Sequence, residues 1–489
     1  MPSSTLAVAL IKQRIERENN TLRREMERSS IYQPKKTFGA GADVLFPALG
    51  FVSGKVVAIR PGVNPDLGAF DVVTVEMRDG GSRDFAANLL GQHRLNDDAA
   101  LSALLNQRGE VVAPEVLCDL YAPTIVNVLD TELPRRETFI HIGTDWFLRA
   151  LMADVGAGHL NLAEAVLDVA NGGPLPTSVI LRDLGLPADV TGSLQVVSLN
   201  SALAHDDRFD EVSLDSEPAW FLRRLEPLEV RTVPSQLIHV PRIQTEVQPA
   251  LIQLAEALDD ELDFENVKVG SADLSTEKAT IVLTFPHRRA GTLGWGHRLG
   301  AILPNVSKPR LPIYVQDKVT GKRFAVWLVK DGRYIFGLGD WYKQNDLPAG
   351  AELEIARTSE ANVFLIDAKR HKPRREWVRH ASLRDQKFRL ETAQKSISCQ
   401  TDDLMSVFID DVRIFDALRA QHTDVVQIVR EIFPEIAKLS PQGNVHARTL
   451  FAVANVVSRV APLDVFGALT TSGLYAPVGD YYWHLSDKN

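Results

Sequence analysis

A change from helical to strand periodicity between Leu160 and Pro227 constrains the fold more than any other feature of the sequence. Apolar residues first recur every three or four positions, which buries one helical face: Leu160, Ala163, Val166, Leu167 and Ala170. The following Asn-Gly-Gly-Pro ends that helix, because glycine tolerates a left-handed cap and proline interrupts helical hydrogen bonding. Two further helices and a β-hairpin are predicted after it, over Thr177–Leu184, Ser193–Ala204, Arg208–Val212 and Ala219–Leu225.

Three helices followed by a hairpin is the order of a winged helix-turn-helix. The segments AEAVLDVANGGPLPT and SLNSALAHDDRFDEV, with a closing tryptophan strand, resemble the HARE-type winged helix of bacterial transcription and restriction-modification proteins. The resemblance covers residues 160–227 and implies a small domain that binds DNA or protein. The alternative is a generic compact helical domain with a hairpin.

Composition indicates an ordinary globular protein of several domains, with 489 residues, 45% hydrophobic and 24% charged. No apolar run approaches the roughly 20 residues that a spanning helix needs, and Leu6–Ile11 is too short for a secretory signal core. We therefore predict a cytoplasmic protein without a membrane partner. Cys118 and Cys399 stand alone, so neither a zinc site nor a disulfide framework is indicated.

Charge is distributed unevenly along the chain. Residues 286–390 contain 21 Lys and Arg against 10 Asp and Glu, a net charge of +11 in a chain whose total is −9. The remaining residues therefore carry −20. This asymmetry predicts an anionic partner for the central region.

The N-terminal third contains three predicted segments. Residues 1–37 alternate basic and acidic side chains, which is typical of a solvated helix. Residues 38–96 are predicted to form a small SH3-like β-barrel, since short β runs are broken by glycine and by a hairpin signal at Asp79-Gly80-Gly81. Gly54-Lys55-Val56-Val57 followed by Arg60-Pro61-Gly62 is faintly similar to the KOW element of RNA-polymerase-associated proteins. Residues 97–157 are predicted to be a helical connector.

The centre of the chain contains a second predicted barrel. Residues 158–228 form the winged-helix-like domain, 229–248 a linker, and 249–370 a helix followed by β runs. An acidic run at 259–265 lacks the spacing of a calcium loop and is predicted to be a solvated corner. The region 279–370 resembles the B3 DNA-binding pseudobarrel at Tyr334, Gly339, Trp341, Asn345, Leu347 and Gly350, although Asp340 separates the glycine from the tryptophan.

The B3 resemblance implies DNA contacts on projecting arms. The candidate arm carries His287, Arg288, Arg289, His297 and Arg298, side chains that suit phosphate oxygens and guanine edges. A basic segment at 371–395 follows the last strand. With the two residues before it, this run supplies the DNA-binding candidates Lys369, Arg370, Lys372, Arg374, Arg375 and Arg379. If roughly six such residues each neutralise one phosphate, log affinity falls with log salt at a slope near −5.

Residues 396–489 are predicted to be helical and to end in a second winged helix at 441–489, where Arg448 and Arg459 are further DNA-binding candidates. The first winged helix has no Lys or Arg in its third helix, and its wing carries Asp215 and Glu217. Because acidic groups repel phosphate, we expect that domain to bind a protein, RNA polymerase included, or DNA that is already held by something else.

These features together predict a multidomain α+β protein with an SH3-like barrel, two winged-helix domains and a B3-like pseudobarrel. The predicted function is non-enzymatic DNA binding by a transcriptional regulator or transcription-associated factor, associated with the nucleoid. No cofactor, metal or small-molecule substrate is indicated, since phosphate loops, nucleophile elbows and H-E-x-x-H are absent from the sequence.

Two alternatives remain open from the sequence. Asp367-Ala368-Lys369 ends an apolar run, with Glu352 and Glu354 in the preceding one, a pattern similar to the PD-(D/E)xK restriction-type nucleases. Such enzymes hold Mg²⁺ with carboxylates on adjacent strands and orient water with a lysine. The other alternative is a protein-interaction scaffold without nucleic acid, because most of the chain is acidic and helical.

Overall fold

The computed structural model describes residues 1–28, 30–99, 102, 113–187, 190–213, 217–243, 245–270, 274–304, 308–385, 387–410, 415, 416, 419 and 423–486. The chain divides into two compact units, Met1–Met152 and Ala153–Asn489. Each contains helices and β-sheets, so the fold is mixed α+β with several sheets, as the sequence predicts at that level.

The first unit joins two helices to two sheets. Its elements are α1 (Ser3–Arg28), β1 (Ser30–Ile31), β2 (Asp43–Phe46), β3 (Val52–Pro61), β4 (Asp71–Met77), β5 (Ser82–Ala87), α2 (Pro114–Glu132), β6 (Phe139–Ile142) and β7 (Asp145–Leu148). Helix α1 packs along α2, and strands β1–β5 form a sheet in sequence order. Among the described residues, no helix is both long and apolar enough to cross a membrane.

A seven-stranded, partly parallel sheet lies at the centre of the second unit and curls into a half-barrel. Its strands are β11 (Lys278–Val282), β12 (Thr292–Gly294), β13 (Arg310–Asp317), β14 (Arg323–Val329), β15 (Tyr334–Phe336), β16 (Glu352–Arg357) and β17 (Val363–Asp367), in the spatial order β11-β16-β17-β13-β14-β15-β12. Short helices connect some of them: α8 (Phe285–Ala290), α9 (His297–Ile302) and α10 (Gly339–Gln344). Alternate residues of β13, including Leu311, Ile313 and Val315, fill the sheet's apolar core.

The segment 371–395, predicted as a basic segment after the last strand of the barrel, lies in both strands of a long hairpin. Strands β18 (Arg370–Arg384) and β19 (Lys387–Cys399) pair along their length, and β20 (Val407–Phe408) adds to β18. Val378 and Ile397 of the hairpin belong to the half-barrel core, whereas Ala381 and Leu390 belong to the core of the C-terminal helices. Because Val378 and Ala381 are three residues apart on one strand, opposite faces of the hairpin serve the two cores.

Two segments of the second unit share one topology. The first consists of α3 (Ala157–Val169), β8 (Leu175–Pro176), α4 (Thr177–Leu181), α5 (Gly192–Ala204), β9 (Phe209–Glu211) and β10 (Ala219–Leu222). The second consists of α11 (Val425–Ala437), β21 (Val445–His446), α12 (Ala447–Val457), α13 (Pro462–Thr471), β22 (Tyr475–Gly479) and β23 (Tyr482–Leu485). We call them the first and second repeat.

The two repeats also agree in register. In each, the last strand lies between the other two, and its tryptophan pairs with the first strand: Trp220 with Leu175, and Trp483 with Val445. Both tryptophans are buried. The repeats differ in surroundings, since α12 and α13 are almost wholly buried in the C-terminal core, whereas α5 keeps a partly exposed face.

Segment 229–248, predicted as a linker, is held against the rest of the second unit. It contains α6 (Leu228–Arg231), which starts one residue earlier, and the buried side chains of Val230, Leu237 and Val240. The Val240 amide donates to the carbonyl of Arg459 at 3.0 Å. Helix α7 (Pro249–Leu258) follows and buries Leu251, Leu254 and Ala255 in the core that contains Val240.

Candidate functional site

The acidic run after α7 is an interior feature of the second unit, in contrast to the solvated corner that the sequence predicts. Asp263 is fully buried, and Asp260 is 8% exposed. Buried carboxylates need partners that replace water. The run Asp259–Asp263, which we call the acidic corner, obtains these partners from four other segments of the unit.

Each carboxylate of the acidic corner accepts hydrogen bonds from a different set of donors. Asp259 accepts from the amides of His297 and Arg298, at 2.7 and 2.8 Å. One guanidinium nitrogen of Arg459 lies 2.6 Å from both Asp260 and Glu261. The corner therefore holds α9 and the segment between α12 and α13 together.

His287 and Arg242 complete the network. The His287 ring contacts the Glu261 carboxylate through Nε2 and the Thr292 hydroxyl through Nδ1, both at 2.8 Å. Arg242 lies 2.5 Å from Asp263 and 2.7 Å from Asp464. Partners thus reach the corner from α8, from the segment before α7, and from the second repeat.

The pKa values of the network depend on two opposing effects: burial disfavours each charged form, and pairing with an opposite charge favours it. Burial raises the pKa of Asp260 to about 6, and Arg459 limits that rise. Burial also disfavours the charged form of Glu261, but Arg459 and His287 outweigh it and hold the pKa of Glu261 well below its usual range. For Arg459, burial disfavours the charge, and the two carboxylates more than restore it, raising its pKa. We conclude that Arg459 is a permanently charged interior ion.

Two glycines of the sequence GTLGWGH allow the corner to approach so closely. A Cβ at Gly296 would lie 2.1 Å from the Asp259 carbonyl oxygen, and one at Gly294 would lie 2.1 Å from Glu261 Oε2. Both are shorter than any real contact of a methyl group. The spacing of these glycines therefore reflects packing against the acidic corner.

The arm residues predicted to bind DNA are engaged within the protein. His287 is 3% exposed, and Arg298 donates to the carbonyls of Glu256 and Ala257 at the end of α7, at 3.3 and 3.0 Å. The His297 ring stacks on Phe264 with centroids 4.0 Å apart. These three side chains hold the arm against the acidic corner instead of presenting it to solvent.

Two neighbouring arginines of α8 are also bound to protein groups. Arg288 donates to the Leu347 carbonyl at 2.5 Å, and burial lowers its pKa. Arg289 pairs with Asp416 at 2.5 Å, with its side chain 12% exposed. Neither guanidinium projects from the surface as an arm residue would.

Four of the remaining candidates are likewise held by protein groups. Lys369 pairs with Glu352 at 3.1 Å, and Arg448 pairs with Asp402. Arg379 donates to the carbonyls of Asp403 and Ser406, at 2.6 and 3.1 Å, and burial lowers its pKa. Arg459 is 1% exposed in the acidic corner.

Arg370 belongs to a network centred on Asp317, which is 2% exposed. Its guanidinium lies 2.7 Å from Asp317 and donates to the Asn345 amide oxygen at 2.5 Å. The Trp341 indole donates to the same aspartate at 2.6 Å. Trp341 and Asn345, two residues of the B3-like pattern, therefore have a structural role here.

Three candidates remain exposed: Lys372, Arg374 and Arg375. Within the described residues, no carboxylate pairs with them. Trp377, two positions further along β18, is 70% exposed, far more than a large aromatic side chain usually is. We call these four residues the basic ridge.

A register irregularity lies at the start of the ridge. Arg370 pairs with Cys399 and Arg374 with Ile397, so three residues of β18 stand opposite one residue of β19. Pro373, which lacks a backbone donor, lies in this bulge, as proline in sheets usually does. Beyond the bulge, Arg374 and Arg375 pair in register with Ile397 and Ser396, so their side chains leave opposite faces of the hairpin.

The carboxylates of the nuclease alternative do lie together. Glu354 and Asp367 are directly opposite each other on β16 and β17. Lys318 lies 3.6 Å from Glu354 and 3.4 Å from Asp367. Over the described residues, no group of three or more His, Cys, Asp or Glu side chains has metal-binding geometry.

A carboxyl pair that no sequence motif indicates joins the first repeat to the half-barrel. Arg310 of β13 lies 2.7 Å from Asp210 and 3.1 Å from Glu226, whose side chain is fully buried. Burial, followed by the neighbouring Asp210, raises the pKa of Glu226 to about 8. Strand β10 of the first repeat also contacts strand β14 of the half-barrel. The rings of Phe221 and Trp327 meet there edge to face, with centroids 5.0 Å apart.

The predicted wing of the first repeat is only partly described. Asp215 lies outside the described residues. Glu217 accepts a hydrogen bond from the Ser178 amide at 3.2 Å, at the start of α4. The acidic side chain of Glu217 therefore caps a helix of its own repeat.

Comparisons with protein-family models, with curated proteins and with solved structures found no match. Any assignment of function to this chain therefore depends on the geometry above.

Proposed function

We propose that this protein binds nucleic acid, with DNA as the leading candidate, through the basic ridge of Lys372, Arg374, Arg375 and Trp377. The observation that carries the proposal is the exposure of three cations without protein partners beside an exposed tryptophan. Leaving three such charges unpaired suits an anionic ligand, and an exposed aromatic ring suits base stacking or contact with a sugar.

The dimensions of the ridge suit a phosphate backbone. An extended strand rises about 3.3 Å per residue, so Lys372 to Trp377 spans roughly 17 Å. A duplex presents phosphates about every 3.4 Å of its axis on each strand, so the ridge is as long as about five base pairs, with Arg374 and Arg375 on opposite faces of the strand. Contacts of this kind position a protein on DNA without reading its sequence.

At the level of domains, we propose that both repeats are winged-helix domains and that the half-barrel is B3-like. The order of helices and strands and the tryptophan register support the first assignment, and the curled mixed sheet supports the second. The burial of α13 argues that the second repeat has an internal role. The first repeat, with its partly exposed α5 free of Lys and Arg, remains our candidate for protein binding, RNA polymerase included.

Fluorescence anisotropy with labelled duplex and single-stranded DNA of equal length tests the proposal. The variant Lys372→Ala/Arg374→Ala/Arg375→Ala removes three charges from the ridge. The matched control Lys12→Ala/Arg17→Ala/Arg24→Ala removes three exposed charges from α1, where alanine favours the helix. We expect affinity to fall at least about tenfold in the ridge variant at low salt, and to stay within about threefold of the parent in the control.

Equal affinity in the parent and the ridge variant would remove the basis of the proposal. Absence of binding by the parent at low salt would do the same. Single-strand preference that disappears in Trp377→Ala would assign the tryptophan to stacking, which contributes about 1–3 kcal/mol per base.

The opposed Glu354 and Asp367 keep a metal-dependent nuclease as the second candidate. In that reading Glu354 and Asp367, which now contact Lys318, would hold a Mg²⁺ ion that polarises the phosphate, and Lys369 would orient water. Incubation of DNA with Mg²⁺ or Mn²⁺ tests it, and activity that is lost in Asp367→Ala would favour it over simple binding.

A further inference from the structure

An apolar cavity of about 520 Å³ lies beside α9, at the end of the half-barrel away from the ridge strands that the proposed function uses. Its floor is formed by Leu303, Leu311 and Leu328, each at most 5% exposed. Trp295 and Phe264 contribute aromatic walls. This volume falls within the roughly 300–1,000 Å³ that is usual for small-molecule sites.

The cavity is cationic at its rim. Lys308, Lys330, Arg333 and Arg357 line it together with His297, and no carboxylate is found among its described lining residues. Arg357 donates to the carbonyls of Ala301 and Ile302, so its role is to cap the end of α9. Lys308 pairs with Glu211 of the first repeat. An apolar interior with a one-sided charge at its rim suits an apolar molecule that carries an anionic group.

Arg333 is the cation best placed to bind that group. Its guanidinium carbon lies 3.3 Å from the centroid of the Phe264 ring. The His297 ring stacks on the same ring at 4.0 Å, with an interplanar angle of 6°. Two planar groups this close to one centroid must occupy opposite faces, so Phe264 is held between them and Arg333 is fixed in position.

Arg333 already pairs with the carboxylate of Glu265, but this pair competes only weakly with an anionic ligand. Glu265 lies 3.1 Å away, but its side chain is 82% exposed, and exposed ion pairs of this kind contribute little. The backbone of Arg333 is left-handed, with φ +47°, and its carbonyl accepts from the Trp295 amide at 2.9 Å. Arg333 is therefore joined to the aromatic wall by a backbone hydrogen bond.

We propose that this cavity binds a small aromatic molecule with a single carboxylate or sulfonate group. The aromatic body lies on the leucine floor beside Trp295, and the anionic group pairs with Arg333. The site is separate from the basic ridge, and the proposal does not depend on nucleic-acid binding.

Anilinonaphthalene sulfonate is a suitable first probe, because it is aromatic and anionic and its fluorescence increases in apolar sites. We expect the full-length chain to bind it saturably, with displacement by naphthoate and at least about tenfold weaker displacement by the neutral naphthylmethanol, about 1.4 kcal/mol. Equal displacement by the neutral compound would remove the role assigned to the cationic rim.

A glycine in the cavity wall provides a matched pair of variants. A Cβ at Gly300 would meet only Trp295, at 3.9 Å, so alanine fits there without disturbing the backbone. We expect Gly300→Ala to retain the probe and Gly300→Leu, which fills the cavity, to lose it. Retention of the parental affinity by a folded Gly300→Leu variant would overturn the site.

Arg333→Asn keeps the test decisive if the leucine variant does not fold. Asparagine tolerates a left-handed backbone better than most residues, so the turn is preserved while the charge is removed. We expect affinity for naphthoate to fall about tenfold while melting temperature is maintained. Unchanged affinity in this variant would contradict the proposal.

Discussion

For single residues, the presence of an arginine or lysine in the sequence did not show whether its charge pairs within the protein or faces solvent. Arg459 and Arg375 are both arginines that the sequence offers as DNA contacts, yet the first is 1% exposed between two carboxylates and the second is exposed. The difference lies in whether another segment supplies acids. An acidic run that follows an apolar helix, as 259–263 follows α7, is the signal that predicts internal pairing.

Replacement of Arg459 with methionine tests the interior ion. Removing one member of a buried charge network leaves Asp260 and Glu261 without their cation, which costs about 3–5 kcal/mol of unfolding free energy. Chemical denaturation of the full chain measures this loss. Arg374→Met, an exposed change of the same type, is the control and is expected to stay within about 0.5 kcal/mol of the parent. Equal stability of the two variants would contradict the buried network.

The two glycines of one short segment give a second test at this scale. Gly296→Ala forces a methyl group against the Asp259 carbonyl, and we expect a loss of about 1–3 kcal/mol from overpacking. Gly300→Ala adds the same atom in a helix where its nearest contact is 3.9 Å, so its stability is expected to be unchanged or slightly higher. Melting temperatures in the same buffer compare the pair, and a Gly296→Ala melt as high as that of Gly300→Ala would disprove the close approach.

Among the helices and strands, those that depend on local sequence pattern could be predicted, and those that depend on tertiary packing could not. The apolar face of α11 and the turn chemistry that ends α3 follow from helical spacing and glycine, so those elements were predictable from the sequence. The long hairpin was missed, because its two faces serve different cores and its strands show no simple alternation of apolar and polar residues. Its basic residues indicated a phosphate contact. The sequence held no signal that Lys372, Arg374 and Arg375 are exposed while Arg370 and Arg379 are held by protein groups.

The contact between the first repeat and the half-barrel predicts a pH dependence. The pKa of Glu226 is raised to about 8 in the folded chain, so between its ordinary pKa and that value the folded chain holds a proton that the unfolded chain has lost. The free energy of unfolding therefore falls as pH rises through this window. Asp210, Arg223 and Arg310 face the same carboxyl. Burial would raise the pKa of Asp210, but its pairing with Arg223 outweighs burial and holds that pKa below its ordinary value, so Asp210 does not share this titration.

Glu226→Gln removes that dependence, since glutamine is neutral at every pH. We expect the variant and the parent to have similar stability near pH 5 and the variant to be more stable above pH 8, by at least the roughly 1.4 kcal/mol that one pKa unit represents. Denaturation curves at several pH values make the comparison. Parallel pH profiles for the two proteins would show that Glu226 is not protonated in the folded chain.

At the scale of the whole molecule, internal pairing reduces the number of cations available to a ligand. The sequence suggests about six phosphate contacts, whereas only three of the candidates at 369–379, all of them described, are exposed. Part of the positive charge of 286–390 is paired within the second unit, as in Arg289 with Asp416, Arg310 with Asp210 and Arg370 with Asp317. Net charge along a sequence therefore overestimates the charge that a partner meets.

The salt dependence of duplex DNA binding tests this account most directly. With three phosphates neutralised at about 0.9 counterions each, the slope of log affinity against log salt is expected to be near −3 for the parent and near zero for Lys372→Ala/Arg374→Ala/Arg375→Ala. The α1 control variant should keep the parental slope. A parental slope near −5, or a slope that the ridge variant leaves unchanged, would contradict the claim that the basic ridge is the nucleic-acid contact.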